Sequence, residues 1–249
     1  MKAFGMTDKG LIRHENQDHF RIEYPGDKTL LIVCDGMGGA KGGATASELA
    51  CKALLSNLTL ALSKLAGEED ATLMTEAVSY ANLAVYEKSR TGDECEGMGT
   101  TLVSAMVTGS RCSVVNVGDS RAYHFRDGAC TQITRDHSLV EELVSLGELS
   151  RDSEDYKKRK NILTRAVGIE STVRIDLFDE ELRNGDYLLM CSDGLSNMVD
   201  DDEIVSTVTG TGSVIYKANE LVRKANQNGG TDNIAVILIR FTEGGDNNA

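Results

Sequence analysis

A short apolar run that ends in an acidic residue constrains the fold of this chain most. Residues 30–34 are apolar and include β-branched side chains, and Asp35, Gly36 and further glycines follow at once. A short apolar run with β-branched members favours a buried strand. A carboxylate at the end of such a strand is unfavourable unless a cation meets it. The run therefore indicates a strand whose end approaches something positively charged.

The same arrangement occurs again, and then in inverted order. Residues 187–191 are mostly apolar and lead to an Asp-Gly pair at Asp193, whereas Asp232 stands just before the apolar run 234–239. An isolated Asp-Gly pair is most often a two-residue hairpin turn. Helical patterns follow Asp35 and Asp193, however, so no return strand is available for a hairpin. The repetition predicts one oxygen-rich site for a hard cation such as Mg²⁺ or Mn²⁺.

Composition argues against several classes of function. The 249 residues carry 26 basic and 39 acidic side chains, a formal net charge of -13, whereas a nucleic-acid surface needs clustered Lys and Arg. No apolar stretch is long enough for a membrane span, and the N-terminus has no signal-peptide segment. The six cysteines form no Cys-x-x-Cys pair, which argues against zinc. We therefore expect a cytoplasmic protein with reduced thiols, without a nucleic-acid partner or a membrane span.

The order of the predicted elements favours an α+β fold built on antiparallel strands. Short turns between strands imply antiparallel pairing, whereas a parallel sheet needs long crossovers. The glycine-rich loop at 38–43 matches neither the dinucleotide-binding pattern nor the P-loop, which argues against a nucleotide-binding enzyme. Strands are expected within 1–34, at 100–107, 112–117, 122–125, 129–133, 174–178 and 186–191, and in a final run that ends near Arg240.

Apolar residues at helical spacing predict two long helices after the glycine-rich loop, each with one stripe that packs against a sheet or another helix. The stripes are Cys51, Leu55, Leu58, Leu62 and Leu65 in the first helix and Met74, Val78, Ala81 and Val85 in the second. Later helices are expected from a capping box at Ser138, from the acidic residues 200–203, which suit a helix N-terminus, and over 213–227.

Two segments are expected to be irregular. Residues 92–97 form a loop, and residues 147–161 are charged and include the basic run 157–160. Such a run is usually a solvated surface, and the alternative is a mobile flap that meets an anionic substrate. No Pro- or Ser-rich linker interrupts the chain, so we expect one domain over residues 1–241, followed by a polar tail over 242–249.

A series of short motifs runs through the chain in a specific order. The motifs are Arg13-x-x-Asn16-Gln17-Asp18, Asp35-Gly36-Met37-Gly38-Gly39, Gly99-Thr100-Thr101, Val117-Gly118-Asp119-Ser120-Arg121, Asp136-His137-Ser138, Leu163-Thr164-Arg165, Ser192-Asp193-Gly194 and Gly230-Thr231-Asp232-Asn233. In this order they resemble the metal-dependent Ser/Thr protein phosphatases, the PPM or type 2C family. Met37 after the first Asp-Gly is similar to the bacterial branch, and the match covers residues 1–240.

The resemblance implies a fold and a metal centre. The fold is α+β, a sandwich of two antiparallel β-sheets flanked by helices on both sides, in four layers α-β-β-α. Two Mn²⁺ or Mg²⁺ ions are expected at one end of the sandwich. By position in the motifs, Asp35 bridges the ions, Asp193 and Asp232 complete the protein ligands of the first, and the Gly36 carbonyl joins Asp35 at the second. Asp18 is expected to hold metal-bound water from the outer shell.

The resemblance also implies the reaction and its partners. A third, weaker ion is expected at Asp119 and Asp193, and Arg13 is expected to pair with the phosphate oxygens, for which its planar fork is suited. A hydroxide that bridges the two ions would attack phosphorus in line, without a protein nucleophile. The expected substrates are phosphoserine and phosphothreonine in proteins. The expected functional partner is a serine/threonine kinase of the eukaryotic type.

Two departures from the family's pattern leave alternatives open. Gln17 stands where many members carry Glu, which removes a negative charge near the second ion. Met37 stands where animal members place a His, and it cannot protonate a leaving alkoxide. The alternatives are a catalytically silent relative that binds phosphoproteins or a kinase, and a metal-dependent hydrolase of small phosphate compounds.

Overall fold

Groups of strands alternate with groups of helices in the computed structural model, which describes residues 1–39, 42–64, 69–92 and 95–242. Within these ranges the strands are β1 (Lys2–Asp8), β2 (Asp18–Glu23), β3 (Lys28–Met37), β4 (Gly99–Thr100), β5 (Leu102–Thr108), β6 (Arg111–Val117), β7 (Arg121–Arg126), β8 (Ala129–Gln132), β9 (Asp176–Glu181), β10 (Tyr187–Cys191) and β11 (Ile234–Arg240). The helices are α1 (Gly42–Lys64), α2 (Asp70–Ser89), α3 (Leu139–Ser145), α4 (Glu154–Arg159), α5 (Asp193–Ser196), α6 (Asp201–Thr209) and α7 (Val214–Gln227).

The strands form two antiparallel sheets. One sheet has five strands in the order β1-β11-β10-β7-β8, and the other has six, in the order β2-β3-β5-β6-β9 with β4 paired to β3. Neighbours that are consecutive in the chain, such as β5 and β6, pair antiparallel through short turns, as the sequence predicts. The strand β11 lies between β1 and β10 in the five-stranded sheet.

Three apolar layers hold the sheets and helices together. The helices α1 and α2 cover the outer face of the six-stranded sheet, apolar residues of both sheets meet between them, and α5 to α7 cover the outer face of the five-stranded sheet. Side chains of β3 alternate between layers, since Leu30, Ile32 and Cys34 enter the helical layer and Leu31 and Val33 the central one, as strand geometry requires. The predicted four-layer sandwich is confirmed.

The predicted helix starts are also confirmed. The side chains of Ser138, Asp200 and Ser213 each accept a hydrogen bond from the backbone N–H three residues later. These bonds satisfy N–H groups that a first helical turn leaves without a partner. The apolar stripe predicted for α2 is fully buried, whereas Leu55 and Leu62 of the α1 stripe are only partly buried.

Two predicted strand boundaries are wrong. The strand β3 continues past Asp35 because its last residues pair with β4, so Asp35 lies inside a strand and not after it. The strand β9 covers Asp176–Glu181 instead of residues 174–178, because its register with β6 begins at Asp176. Because β3 continues, the backbone around Asp35 is held by β2 on one side and by β4 on the other.

Two segments predicted to be irregular are partly helical. Residues 154–159 form α4, because Ser153 caps the first turn by accepting a hydrogen bond from the Tyr156 N–H at 3.1 Å. Acidic residues begin this helix and basic residues end it, an order that complements the helix dipole. The helix α1 begins at Gly42, inside the predicted glycine-rich loop, and Gly43 packs closely against the Gln17 side chain and the Gly36 carbonyl.

Parts of four segment predictions lie outside the described residues: positions 40 and 41 of the glycine-rich loop 38–43, Leu65 of the first helical stripe, positions 93 and 94 of the loop 92–97, and residues 243–249 of the tail. Within the described ranges, no helix combines the length and the apolar character needed to cross a bilayer.

Substitution of Ile237 is expected to destabilise the fold. Ile237 lies within β11 and is fully buried between the sheets, so Ile237→Ala would remove buried methyl groups and leave a cavity. We expect the free energy of unfolding, measured with denaturant, to fall by about 3 kcal/mol. The matched variant Ile215→Ala, at a side chain 55% exposed, should change it by less than about 0.5 kcal/mol. Equal losses in both variants would contradict the assignment of the central layer as core.

Candidate metal centre

Asp18 and Asp35 face each other on adjacent strands of the six-stranded sheet. The register of β2 with β3 places Asp18 opposite Asp35. Thr101 fixes the Asp35 backbone from the other side: its hydroxyl accepts from the Asp35 N–H at 3.0 Å, and its N–H donates to the Asp35 carbonyl at 2.8 Å. Like charges directly opposite each other are destabilising. The strands therefore hold together two carboxylates that would separate in an unfolded chain.

Asp193 approaches this pair from the five-stranded sheet. The strand β10 ends at Cys191, and Ser192 turns the chain into α5, which begins with Asp193. The Ser192 hydroxyl donates to Asp18 Oδ2 at 2.6 Å, and the Asn197 amide donates to Asp193 Oδ2 at 2.9 Å. Each bond uses one oxygen of a carboxylate, and the bond from Ser192 to Asp18 joins the two sheets at this end of the sandwich.

The other oxygen of each carboxylate is orphaned. Asp18 Oδ1 and Asp193 Oδ1 are buried and accept no hydrogen bond from the part of the chain that the structure describes. Asp35 lies within hydrogen-bonding reach of both side chains, but ionised carboxylates have no proton to donate. A buried polar atom without a partner is unfavourable. The two orphaned oxygens therefore fit a hard cation that prefers carboxylate and water ligands.

Asp232 forms an ion pair with Arg13. The distance from Arg13 Nη2 to Asp232 Oδ2 is 2.7 Å, and the side chains are 55% and 27% exposed. The backbone N–H of Asn233 donates to the other oxygen, Asp232 Oδ1, at 2.8 Å. The hydrogen bond to Asp232 raises the pKa of Arg13, so its guanidinium stays charged. The predicted phosphate-binding residue thus lies beside a predicted metal ligand, with its outer face in solvent.

Asn233 fixes the loop that carries Arg13. Its Oδ1 accepts from the Gln17 N–H at 2.8 Å. Its Nδ2 donates to the backbone carbonyls of Lys9 and Glu15 at 2.8 and 2.9 Å. One side chain next to β11 therefore holds both ends of the loop between β1 and β2.

Two glycines allow backbones to approach each other at the site. A Cβ at Gly36 would lie 2.1 Å from the carbonyl oxygen of Gly43, and a Cβ at Gly194 would lie 1.9 Å from that of Asn233. Neither position accepts a side chain unless backbone moves. This explains why glycine follows both Asp35 and Asp193: the aspartate supplies a carboxylate, and the glycine lets a neighbouring segment pack against it.

Burial and mutual repulsion raise the pKa values of the clustered carboxylates. Burial, reinforced by the charges of Asp18 and Asp193, raises the pKa of Asp35 well above its usual value. Burial, with the Asp193 charge, raises the pKa of Asp18 to about 7. Burial, with the Asp232 charge, raises the pKa of Asp193. Unless a cation compensates their charge, some of these groups retain protons near neutral pH.

Asp119 extends the cluster. It follows β6 and lines, together with Asp193, a cavity of about 620 Å³. Burial, with the charges of Asp193 and Asp136, raises the pKa of Asp119 to about 8. Among the described residues, no three acidic, histidine or cysteine side chains stand in an arrangement that would hold an ion by themselves. An ion at this site would therefore take most of its ligands from water, as Mg²⁺ commonly does.

Sequence reasoning gave no role to the residues that hold the carboxylates in place. Thr101, Ser192 and Asn233 each stand inside a recognised motif, so their position was the available signal, but their partners were not evident. Asn197 lies four residues after Asp193, a spacing that brings side chains together on a helix. That spacing could have identified Asn197 as a partner of Asp193.

Comparisons with known proteins show which family the chain is similar to. The family profile of Protein phosphatase 2C matches residues 13–227. The chain is 39% identical over 240 residues to the serine/threonine phosphatase stp of Listeria monocytogenes, a match that covers 96% of this chain and 95% of the relative. It is 33% identical to the serine/threonine phosphatase PstP/Ppp of Mycobacterium tuberculosis, whose crystal structure superposes with a TM-score of 0.86 over 97% of this chain and 99% of that one.

A further solved structure contains metal. It is the catalytic domain of the serine/threonine protein phosphatase PstP in complex with 2 manganese ions, with a TM-score of 0.83 and 33% identity over 97% of this chain and 98% of that one. The predicted family, its sandwich fold and its classification as a protein phosphatase are confirmed by these matches. The chain belongs to the protein phosphatase 2C family.

Proposed function

We propose that this protein is a Mn²⁺- or Mg²⁺-dependent phosphatase that hydrolyses phosphoserine and phosphothreonine in proteins. The observation that carries the proposal is the cluster of Asp18, Asp35 and Asp193. Asp18 is buried and the other two side chains are half-buried, and two carboxylate oxygens of the cluster have no partner among the described residues. Such a cluster is unfavourable unless cations neutralise it. The names of the relatives and the two manganese ions of one structural neighbour support the same conclusion.

Each acidic residue has a proposed part in holding the ions. Asp35, central to the cluster, would contact both ions, with Asp193 and Asp232 at the first and the Gly36 carbonyl at the second. Asp18, held by Ser192, would orient water in the outer shell. When bound, two divalent ions supply a water acidic enough to attack phosphorus and withdraw charge from the phosphoryl oxygens.

A third, weaker ion is proposed between Asp119 and Asp193. Both residues line one cavity, and the charge of Asp193 contributes to the raised pKa of Asp119. The charge of Asp136 also raises the pKa of Asp119. A cation there would relieve this repulsion.

Arg13 is proposed to bind the phosphate. Its guanidinium already lies 2.7 Å from Asp232 and is 55% exposed, so its free N–H groups can reach a phosphate above the carboxylates. A planar guanidinium donates two parallel hydrogen bonds to such an oxyanion. The pairing with Asp232 orients the side chain before the substrate arrives.

The remaining proposals concern the domain and its cellular setting. We propose one catalytic domain over residues 1–241, because β1 and β11 pair along their whole length. The six cysteines are free thiols, which supports a reducing cytoplasm. A serine/threonine kinase of the eukaryotic type is the proposed functional partner, because a reaction of that class must supply the phosphoprotein substrate.

The variant Asp193→Asn should abolish turnover while it leaves the fold intact. Loss of one anionic ligand weakens ion binding, and a loss of about 3 kcal/mol in transition-state stabilisation lowers the rate by about a hundredfold. We would measure p-nitrophenyl phosphate hydrolysis with EDTA, Mg²⁺ or Mn²⁺, with circular dichroism to verify folding. The exposed Asp202 on α6 provides the matched control Asp202→Asn, for which normal activity is expected.

Other outcomes of this assay discriminate between the alternatives. Turnover by the wild-type protein in excess chelator would contradict metal dependence. Absence of turnover with every divalent ion, by folded wild-type protein, would favour a silent relative that binds phosphoproteins or a kinase.

Arg13→Ala should lower kcat/KM for a phosphothreonine peptide by about tenfold or more, because charge-assisted hydrogen bonds to the phosphate are lost. Arg13→Lys keeps the charge but not the fork, and should retain an intermediate value. Steady-state kinetics at saturating Mn²⁺ would measure both variants. Unchanged kcat/KM in Arg13→Ala would refute the assigned role.

Without metal, the protein should become less stable as the pH rises. The pKa of Asp18 is about 7 in the folded state and about 4 in an unfolded chain. The folded state therefore binds more protons between these values, so this group's contribution to stability decreases from about pH 4 to about pH 7. Added Mn²⁺ should remove this loss, because binding displaces the proton.

Thermal unfolding in EDTA and in Mn²⁺ across this pH range would measure the effect. The variant Asp18→Asn isolates the contribution of Asp18 from those of other ionisable groups, and its Tm in EDTA should fall less with pH than that of the wild-type protein. Parallel pH dependences of the two proteins would contradict the assignment.

A further inference from the structure

A continuous groove leads away from the carboxylate cluster. Asp119 and Asp193 line its first part, a cavity of about 620 Å³. A second cavity of about 660 Å³ adjoins it, and Arg121 and Tyr156 line both. The groove therefore runs from the candidate metal centre along α3 and α4, the segment that contains the basic run.

Two arginines lie at the far end of this groove. Arg135 and Arg174 line the second cavity and also a smaller one of about 260 Å³ beyond it. Asn116 of β6 links the segments that carry them. Its side-chain amide donates to the Arg135 carbonyl at 3.1 Å, and its partner on the adjacent strand β9 is Asp176. Arg174 precedes Asp176 by two residues. Both arginines are exposed.

Asp176, a carboxylate that lines both of these cavities with them, is already engaged. Asp176 Oδ1 accepts from Arg165 at 2.7 Å, and Asp176 Oδ2 lies 3.2 Å from His137 Nε2. Although burial opposes it, hydrogen bonds from His137 and Arg165 keep the pKa of Asp176 below its usual value. Asp176 is therefore an ionised acceptor whose two oxygens are taken up by Arg165 and His137.

Other arginines of the groove are likewise paired. Arg121 binds Asp136 at 2.7 Å, and Arg151 binds Glu141 at 2.6 Å. Neither Arg135 nor Arg174, in contrast, makes a side-chain hydrogen bond or ion pair with any residue that the structure describes. In a chain with a net charge of -13, two adjacent unpaired cations on a path from the reaction centre are a specific feature.

We propose that Arg135 and Arg174 form a docking site for acidic residues that flank the phosphorylated residue of a protein substrate. The proposal rests on the proposed function, and it adds a preference for substrates with acidic residues near the phosphorylated one. Carboxylate side chains match the fork of donors that each guanidinium presents. When the phosphate of a peptide lies at the carboxylate cluster and its backbone follows the groove, its flanking residues reach Arg135 and Arg174.

The acidic residues that line the groove limit where such a peptide fits. Glu142 and Asp201 are exposed and line the second cavity, where they repel a carboxylate. Neither lines the smaller cavity at the arginine end. Acidic side chains of the substrate are therefore placed at Arg135 and Arg174, and neutral or basic ones between them and the cluster.

The double variant Arg135→Gln/Arg174→Gln tests the site. Phosphothreonine peptides would carry neutral flanks, or an acidic block at increasing distances on the N-terminal or the C-terminal side. The wild-type enzyme should prefer one acidic peptide, and the double variant should lose about fivefold in kcat/KM for that peptide at low ionic strength. Rising salt should reduce the difference. Values for p-nitrophenyl phosphate and the neutral peptide should be unchanged.

The control is Arg111→Gln. Arg111 is exposed, makes no side-chain ion pair with the described residues, and begins β6 at the end opposite to Asp119. Equal losses in the control would assign the effect to net charge and overturn the site. Equal kcat/KM for acidic and neutral peptides in the wild-type enzyme would also overturn it, while the phosphatase function stands. Failure of the wild-type enzyme to hydrolyse any phosphate ester would overturn both proposals together.

Discussion

The close approach of several carboxylates at one end of the sandwich is the constraint on which this structure depends. Asp18 and Asp35 are held opposite each other by strand register, and Asp193 joins them from the other sheet. Their repulsion opposes folding at this end of the sandwich. Three apolar layers elsewhere in the molecule offset it. The rigid sheets thus maintain an arrangement that the carboxylates by themselves would not adopt.

The charge of the molecule acts differently at long and at short range. A net charge of -13 repels a phosphorylated substrate at a distance, and salt screens that repulsion beyond about 10 Å. Close to the site, Arg13 is held by Asp232 and divalent ions would reverse the local sign. Attraction of the phosphate is therefore local to this region, which favours ligands whose phosphate can enter it over polyanions that bind a whole surface.

The fold and the acidic residues of the site could be predicted from the sequence, because strand alternation and the order of short motifs are local signals. The residues that hold the acids in place could not. Gln17 and Asn233, which are 216 positions apart, meet only because β1 pairs with β11, and no sequence spacing encodes that meeting. The helix α4 was missed for a different reason: its basic residues were interpreted as a charged surface, although with Glu154 and Asp155 they complement a helix dipole.

The position of β11 between β1 and β10 has a consequence for folding. Lys2 pairs with Arg240, so β1 has no partner in its sheet until β11 has been synthesised. Closing so long a loop is entropically unfavourable and makes folding slow. Asn233, which anchors the loop of Arg13, is synthesised with that same strand. A chain that ends before β11 therefore exposes unpaired strand edges, and the complete set of carboxylates, which includes Asp232, comes together only once β11 has paired.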